Sequence, residues 1–250
     1  MALVNQDVPN VEKFVALSNE FRRDGARWIF RGHTSHKHEL QPKIGRPENR
    51  KSKNGQRAPY NPEEEQMLIQ YFMRSVAPHV KNNPTTALAW LALAQHHGMY
   101  TRLLDWAESL LVAAHFALAK GTQQEEVVIE NNQVTRMEPL IPTIYAVKNL
   151  PVANEHIDIS LLPDVATYWP PHVSPRITAQ RSVFTVHRHP EIAFTSPNII
   201  QLRLIGGSSP LTFNFDMDAL GVNEATLFPD IDGIAHHSSW LYKWGLLPPK

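Results

Sequence analysis

A chain of 250 residues, 42% hydrophobic and 19% charged, holds enough apolar side chains to bury a core, which excludes a disordered polymer. Its 24 Lys and Arg balance 24 Asp and Glu, so no global charge draws it to nucleic acid or an anionic membrane, although a local basic patch stays open. With no cysteine there is no disulfide framework, thiol nucleophile or thiolate metal site.

In chain order, Met1–Asp7 has neither a basic n-region nor an apolar h-region, and no apolar run reaches the roughly 18–20 residues that span a bilayer. The expectation is a cytoplasmic protein without a membrane segment. Asn10 caps a first helix in which Val11, Phe14, Val15 and Phe21 recur at helical spacing before Gly25. Trp28–Arg31 reads as a strand cut by Gly32, with Trp28 and Phe30 on one face and Ile29 and Arg31 on the other. Between residues 42 and 62, Pro42, Pro47, Pro59 and Pro62 interrupt regular structure. There Lys43, Arg46, Arg50, Lys51, Lys53 and Arg57 face only Glu48, a mobile basic loop that is either plainly solvated or a phosphate-contacting arm.

Asn61-Pro62-Glu63-Glu64-Glu65 starts a second helix, with Met67, Leu68, Tyr71, Phe72 and Val76 as its expected buried face. A third runs from Asn83-Pro84 through Leu88, Leu91 and Leu93 to His97, where Gly98 stops it. A fourth, expected to start at Asp105, is apolar nearly all round from Leu110 to Leu118 and so reads as a central buried helix. Beyond it, 127–129, 143–147, 177–186, 199–205 and 211–215 read as strands. Helices first and strands later, without regular βαβ alternation, predict an α+β fold. No linker or repeat splits the chain, so one domain is expected over 1–250, its core spanning about 25–242.

Four clusters carry the chemistry. In the first, Arg31 beside Gly32 and His33 reads either as half of a buried ion pair, for instance with Asp105, or as a guanidinium fork on a phosphate. Gly32 would then let the backbone approach the ligand. In the second, His96 and His97 point about 100° apart on a helix and do not chelate as an i, i+4 pair would, so capping or a polar contact is preferred to metal. Asp105-Trp106-Ala107-Glu108 has the form of a capping box, and Arg102 reads as a partner of a nearby acid or of an anion. In the third, strand alternation groups Thr178, Gln180 and Ser182 on one face, toward solvent or a cleft. In the fourth, Asp230 and Asp232 form a turn before Gly233, since the spacing of a calcium loop is missing.

These segments carry a resemblance. Phe30-Arg31-Gly32-His33, the HHGxxTRLLDW stretch from His96 to Trp106, Arg176–Phe184 and Thr226–Gly233 resemble the FRG domain family, named for its Phe-Arg-Gly signature. The order of Arg-Gly strand, TRLLDW element with an apolar helix, and Gln-x-Ser strand is in turn similar to ADP-ribosyltransferases. That likeness implies helices packed on a split, mainly antiparallel sheet. It matches Arg31 to the first motif, Thr101 and Ser109 to the second, and Gln180 to the third. The chain departs from the pattern at the third motif, where Ser182 stands in place of the usual catalytic glutamate.

Two functions follow as expectations from the resemblance. The first is an NAD-dependent ADP-ribosyltransferase acting as a toxin or antiviral effector, with NAD as co-substrate and an antitoxin protein as a partner. Arg31, Gly32, His33, His97, Tyr100, Thr101, Arg102 and Ser182 would bind NAD; Arg31 with Gln180 or Glu224 would serve catalysis. Arg50, Lys51, Lys53 and Arg57 would favour RNA as the acceptor, a protein being the other choice. The alternative is a non-catalytic module binding a nucleotide or nucleic acid, which the missing glutamate favours.

Overall fold

The computed structural model describes residues 4–80, 82–119, 125–130, 133–171, 175–205 and 210–247. Residues 1–3 of the stretch read for a leader lie outside them. The elements run β1 (Gln6–Asp7), α1 (Val11–Arg23), β2 (Trp28–His33), α2 (Pro62–Val76), α3 (Ala87–His96), β3 (Leu103–Ala107), α4 (Leu110–Leu118), β4 (Glu125–Glu130) and β5 (Gln133–Pro139). There follow β6 (Thr143–Lys148), β7 (Val165–Tyr168), α5 (Pro175–Gln180), β8 (Ser182–His187), β9 (Ile200–Arg203), α6 (Pro210–Ala219), α7 (Glu224–Leu227) and α8 (Ile231–Trp244). The fold is α+β. Seven strands form one sheet in the order β1-β9-β6-β2-β3-β8-β7, antiparallel throughout except for the β1–β9 pair, while β4 and β5 make a separate hairpin. No helix among the described residues is long and apolar enough to cross a membrane.

Strand alternation on β2 sorts its side chains as expected. Trp28 and Phe30 join a core with α1, α4 and α6, whereas Ile29 joins Leu104, Trp106, Tyr145 and Val147 on the opposite face. Both faces of the central strands are therefore covered. Helix α3 covers the β3–β8–β7 half through Leu88, Leu91 and Ala92 against Leu103, Phe184 and Val186. Asn10 and Asn61 cap α1 and α2 by accepting from backbone N–H groups one turn in, at 3.0 and 2.8 Å for the shortest bonds.

Several expectations are corrected. Residues 103–107 form a central strand, not a helix start: Leu103, Leu104 and Trp106 are buried on opposite faces, and a strand covered on both sides shows no amphipathic period. Ser109 is the cap of α4, and Glu108 instead accepts from Arg27 and from Trp169 Nε1. Thr86, not Asn83, caps α3. Residues 210–219 are helical because Phe213 and Met217, four apart, are the side chains that reach the core. Residues 175–180 are helical too, and Arg181 ends that helix in the left-handed region at φ 47°, so Thr178, Gln180 and Ser182 do not share a strand face.

Helix α2 turns a different side inward. Met67 and Tyr71 are 67% and 66% exposed, while Ile69 packs on the α3 core and Phe72 meets Trp90 edge-on. The first part of the basic loop is packed down, whereas 51–57 is exposed. Two 3-10 turns, Lys43–Gly45 and Pro47–Asn49, follow buried Gln41, whose amide donates to the carbonyls of Gly45 and Glu191. Gly45 lies so close to Pro190 that a Cβ would fall 1.8 Å from its carbonyl oxygen.

Gly32 has a comparable role on the helical face. A Cβ there would lie 2.0 Å from the Ala113 carbonyl oxygen and 2.5 Å from the Ala117 nitrogen. The small residues Ala113, Ala114 and Ala117 let α4 settle directly on β2, and the absent Cβ of Gly32 completes that fit rather than clearing a path for a ligand. Gly32→Ala is expected to destabilise the protein by about 3 kcal/mol, the upper end for overpacking, because backbone rather than a mobile side chain blocks the methyl. Urea unfolding of the two proteins gives the difference.

Candidate functional site

Strand β2 pairs with β6 along its whole length but meets β3 in one registered pair, Phe30↔Ala107. Beyond it the sheet splits. A cleft of about 1230 Å³ opens there, floored by Arg31, Gly32 and His33 on one side and by Asp105, Trp106 and Ala107 on the other. The end of α3 supplies Gln95, His96 and His97; the packed loop supplies Lys37, Lys43 and Arg46; and Arg176, Gln180 and Ser182 close the remaining wall.

Arg31 spans the split. Its Nη1 donates to the Asp105 carbonyl at 2.6 Å and lies 3.7 Å from the Asp105 carboxylate, and its Nε donates to His33 Nε2 at 2.8 Å. Nη2 makes no hydrogen bond to a described residue. Burial lowers the Arg31 pKa and the nearby Asp105 opposes that, but a guanidinium keeps its proton. Because Nε2 of His33 accepts, its Nδ1 must carry the hydrogen, which it gives to the His38 carbonyl at 3.1 Å. Burial, reinforced by Arg31, pushes His33 down to about 3, so the ring is neutral. Trp106 Nε1 donates to Thr185 Oγ1 at 2.8 Å, and the Thr185 hydroxyl shares a hydrogen bond with His187 Nε2 at 2.9 Å. His187 is likewise pushed to about 3 by burial.

A second hydrogen-bond chain orients Asp105. Gln95 Nε2 donates to its Oδ2 at 2.8 Å, and Gln95 Oε1 accepts from the fully buried Thr101 hydroxyl at 2.6 Å. Gly98, at φ 84°, turns the chain after α3 and brings β3 back beside Gln95.

Of the residues singled out in the sequence, Arg31, Gly32, His33, His97, Gln180 and Ser182 line the cleft. Gln180 stands at the end of α5, its amide nitrogen donating to the Leu227 carbonyl at 3.1 Å. The others stand elsewhere. Tyr100 is exposed outside the cleft, and Thr101 spends its hydroxyl on Gln95 and the Leu103 amide. Arg102 pairs with buried Glu65 and with Tyr60, and donates to the His187 and Arg188 carbonyls, so it fastens α2 to the sheet. Burial, with Glu65 adding to it, raises the Tyr60 pKa. Glu224 lies 3.4 Å from His115 Nε2 without hydrogen-bond alignment, and that neighbour lowers its pKa. Arg50 pairs with Glu64 and Pro59, leaving Lys51, Lys53 and Arg57 on an exposed turn. Asp230 caps α8. Among the described residues no group of three or more His, Asp or Glu is placed to hold a metal.

Asp105, Gln95, Lys37 and Arg176 enter the cleft without having been assigned a role in ligand binding, and Lys43 and Arg46 reach it from the segment read as a possible phosphate-contacting arm. Lys43 and Arg46 stand in the basic segment, and that was their signal. Arg176 stacks on Phe228 at 4.3 Å.

The fold and this cleft frame the comparison with known proteins. The FRG domain family model matches residues 26–126, which hold β2, α2, α3, β3 and α4. No curated protein and no solved structure matches the chain.

Two outcomes follow. Arg102→Met strands Glu65, whose side chain is 7% exposed, and is expected to cost about 3–5 kcal/mol in chemical unfolding. For His33 the folded pKa, about 3, lies below the ordinary 6.5, so the unfolded chain takes the proton first. Its contribution is therefore neutral above about pH 6.5, and stability falls as pH drops from there toward 3. In His33→Gln the slope of unfolding free energy between pH 6 and 4 is expected to flatten by up to about 1.4 kcal/mol per pH unit.

Proposed function

We propose that the cleft takes a phosphate-bearing dinucleotide, NAD, and that the protein is an ADP-ribosyltransferase-like effector, a toxin or antiviral factor that modifies RNA or a protein. The observation that carries the ligand class is Arg31 at the split of the sheet, with Lys37, Lys43, Arg46 and Arg176 around the same cavity. Five cations against Glu39, Glu48 and Asp105 leave an excess positive charge at the cleft in a chain that is neutral overall. Charge-assisted bonds from such groups suit a pyrophosphate. The volume also exceeds what a drug-sized ligand needs, roughly 300–1,000 Å³.

In this reading Arg31 offers Nη2 to a phosphate oxygen while His33 and the Asp105 carbonyl hold its other nitrogens. Gln180, with its nitrogen tied to Leu227, presents its carbonyl oxygen to a ribose hydroxyl. His97 and His96 wall the nicotinamide end. Lys51, Lys53 and Arg57 on their exposed turn would meet the phosphates of an RNA acceptor, and an antitoxin would be the expected partner of a toxin. A second reading, a nucleotide-binding module without transfer, is favoured by one observation: Glu224 faces His115 rather than the cleft, and Ser182 stands where the family glutamate is expected.

Titration calorimetry with NAD tests the ligand class. Lys43→Ala and Arg176→Ala are each expected to weaken binding about 10-fold or more, the loss of one bond to a charged group, and to flatten the salt dependence. Unchanged affinity in both variants would overturn the cation-lined cleft as the site. Binding without nicotinamide release, in the presence of total RNA or protein, would favour the module.

A further inference from the structure

The cleft contains a carboxylate that the proposed reaction can use. Three acidic residues line it: Glu39 and Glu48 stand on the loop at its rim, and Asp105 alone stands on the sheet, at the split itself. Asp105 is held without being buried. Its side chain is 57% exposed, its Oδ2 accepts from Gln95 at 2.8 Å, and its Oδ1 makes no hydrogen bond to a described residue. The far end of the Gln95 amide is itself fixed by Thr101, which is fully buried and also accepts from the Leu103 N–H at 3.1 Å.

That arrangement is more than stability requires. The contact between Arg31 and the Asp105 carboxylate, 3.7 Å long with the Asp105 side chain 57% exposed, is too long and too solvated to hold that carboxylate in place by itself. A carboxylate at the lining of a cavity beside a cation, with one oxygen positioned by a relay of two side chains and the other without a hydrogen bond to a described residue, is preorganised for a ligand. A phosphate on Arg31 would lie close to Asp105, whose carboxylate stands 3.7 Å from Nη1.

We infer that Asp105 is the catalytic carboxylate of this cleft, stabilising the ribosyl cation of NAD, with Gln95 and Thr101 as its positioning residues. This rests on the NAD reading above. In the step, the bond between ribose C1′ and the nicotinamide nitrogen breaks, and its electron pair neutralises the pyridinium as nicotinamide leaves. The positive charge passes to the ribose as an oxocarbenium ion, which the negative Asp105 oxygen opposes. An acceptor hydroxyl or water then forms a new bond to C1′, and its proton goes to the Asp105 carboxylate and on to solvent. No oxidant or reductant is needed. Ser182 and Glu224 take no part.

The test compares Asp105→Asn with the unmodified protein in nicotinamide release from NAD, NAD affinity by calorimetry, and melting temperature. Asparagine can still accept from Gln95, so folding and affinity should stay, within about threefold, while release falls at least about 100-fold, as for one preorganised electrostatic group. Gln95→Ala leaves the charge but frees it, and release should fall about 10-fold at unchanged affinity, which also serves should Asp105→Asn not fold. Release unchanged in either folded variant overturns the assignment while leaving the NAD reading intact. A loss of affinity as large as the loss of release also overturns it, by making Asp105 a binding residue. An unmodified protein that neither binds NAD nor releases nicotinamide overturns both at once.

Discussion

The structure depends on how β2 and β3 part company, and Arg31 is the group that manages the parting. After Phe30↔Ala107 the two backbones no longer exchange hydrogen bonds, which would leave carbonyls unpaired in the middle of a sheet covered on both faces. The guanidinium supplies one of the missing donors, reaching the Asp105 carbonyl from across the gap. A side chain thus replaces a rung of the ladder. Such a replacement ends regular pairing without leaving polar groups stranded, and it puts a cation at the floor of the cavity it creates. Lysine has the charge but not the planar fork that holds His33, Asp105 and a free nitrogen at once.

The neighbours keep that cation available. His33 and His187 flank it as neutral rings, His33 held in one tautomer by its two partners, and each burial-driven shift is reinforced by Arg31 itself. Neutral neighbours take hydrogen bonds without neutralising the guanidinium. Asp105 binds Arg31 chiefly through its backbone carbonyl, so the carboxylate stays oriented by Gln95 instead of closing a bidentate pair. On the opposite side Gly32 lets α4 sit against β2, which fixes the strand from which Arg31 projects. The helix contact and the cleft are two faces of one dipeptide.

Where local physics decided, the sequence was legible. Asn10 and Asn61 cap as read, the apolar 110–118 helix is buried, and alternation divides Trp28 and Phe30 from Ile29. Where two patterns overlapped, it was not. Leu211, Phe213 and Phe215 alternate like a strand, but Phe213 and Met217 are spaced for a helix, and docking beside Phe14 selected the helix. Asp105 and Glu108 have the spacing of a capping box, but sheet pairing to β8 on one edge and the Phe30 bridge on the other outweighed a local bond worth about 1 kcal/mol. That mistake hid the site residue itself, since a cap is read as facing the helix rather than a cavity. The Gln95–Asp105 contact depends on the left-handed turn at Gly98, which the sequence signals only as a helix stop.

The misplacement of Arg102 follows from the same cause and shows how Arg31 and Arg102 divide their work. Arg31 lies within β2 and Arg102 one residue before β3, each beside an acid, and sequence gives both a claim to an anion. Burial separates them. Glu65 beside Arg102 is 7% exposed and receives two guanidinium nitrogens, with Tyr60 and two carbonyls completing the shell, so no donor is left over. Asp105 beside Arg31 is mostly exposed and receives no hydrogen bond from the guanidinium on its carboxylate. A buried, fully satisfied pair resists displacement because a leaving partner would strand a charge. A pair whose carboxylate is mostly exposed and takes no guanidinium hydrogen bond exchanges that partner at lower cost. The pair that tolerates exchange is the one that lies in the cleft.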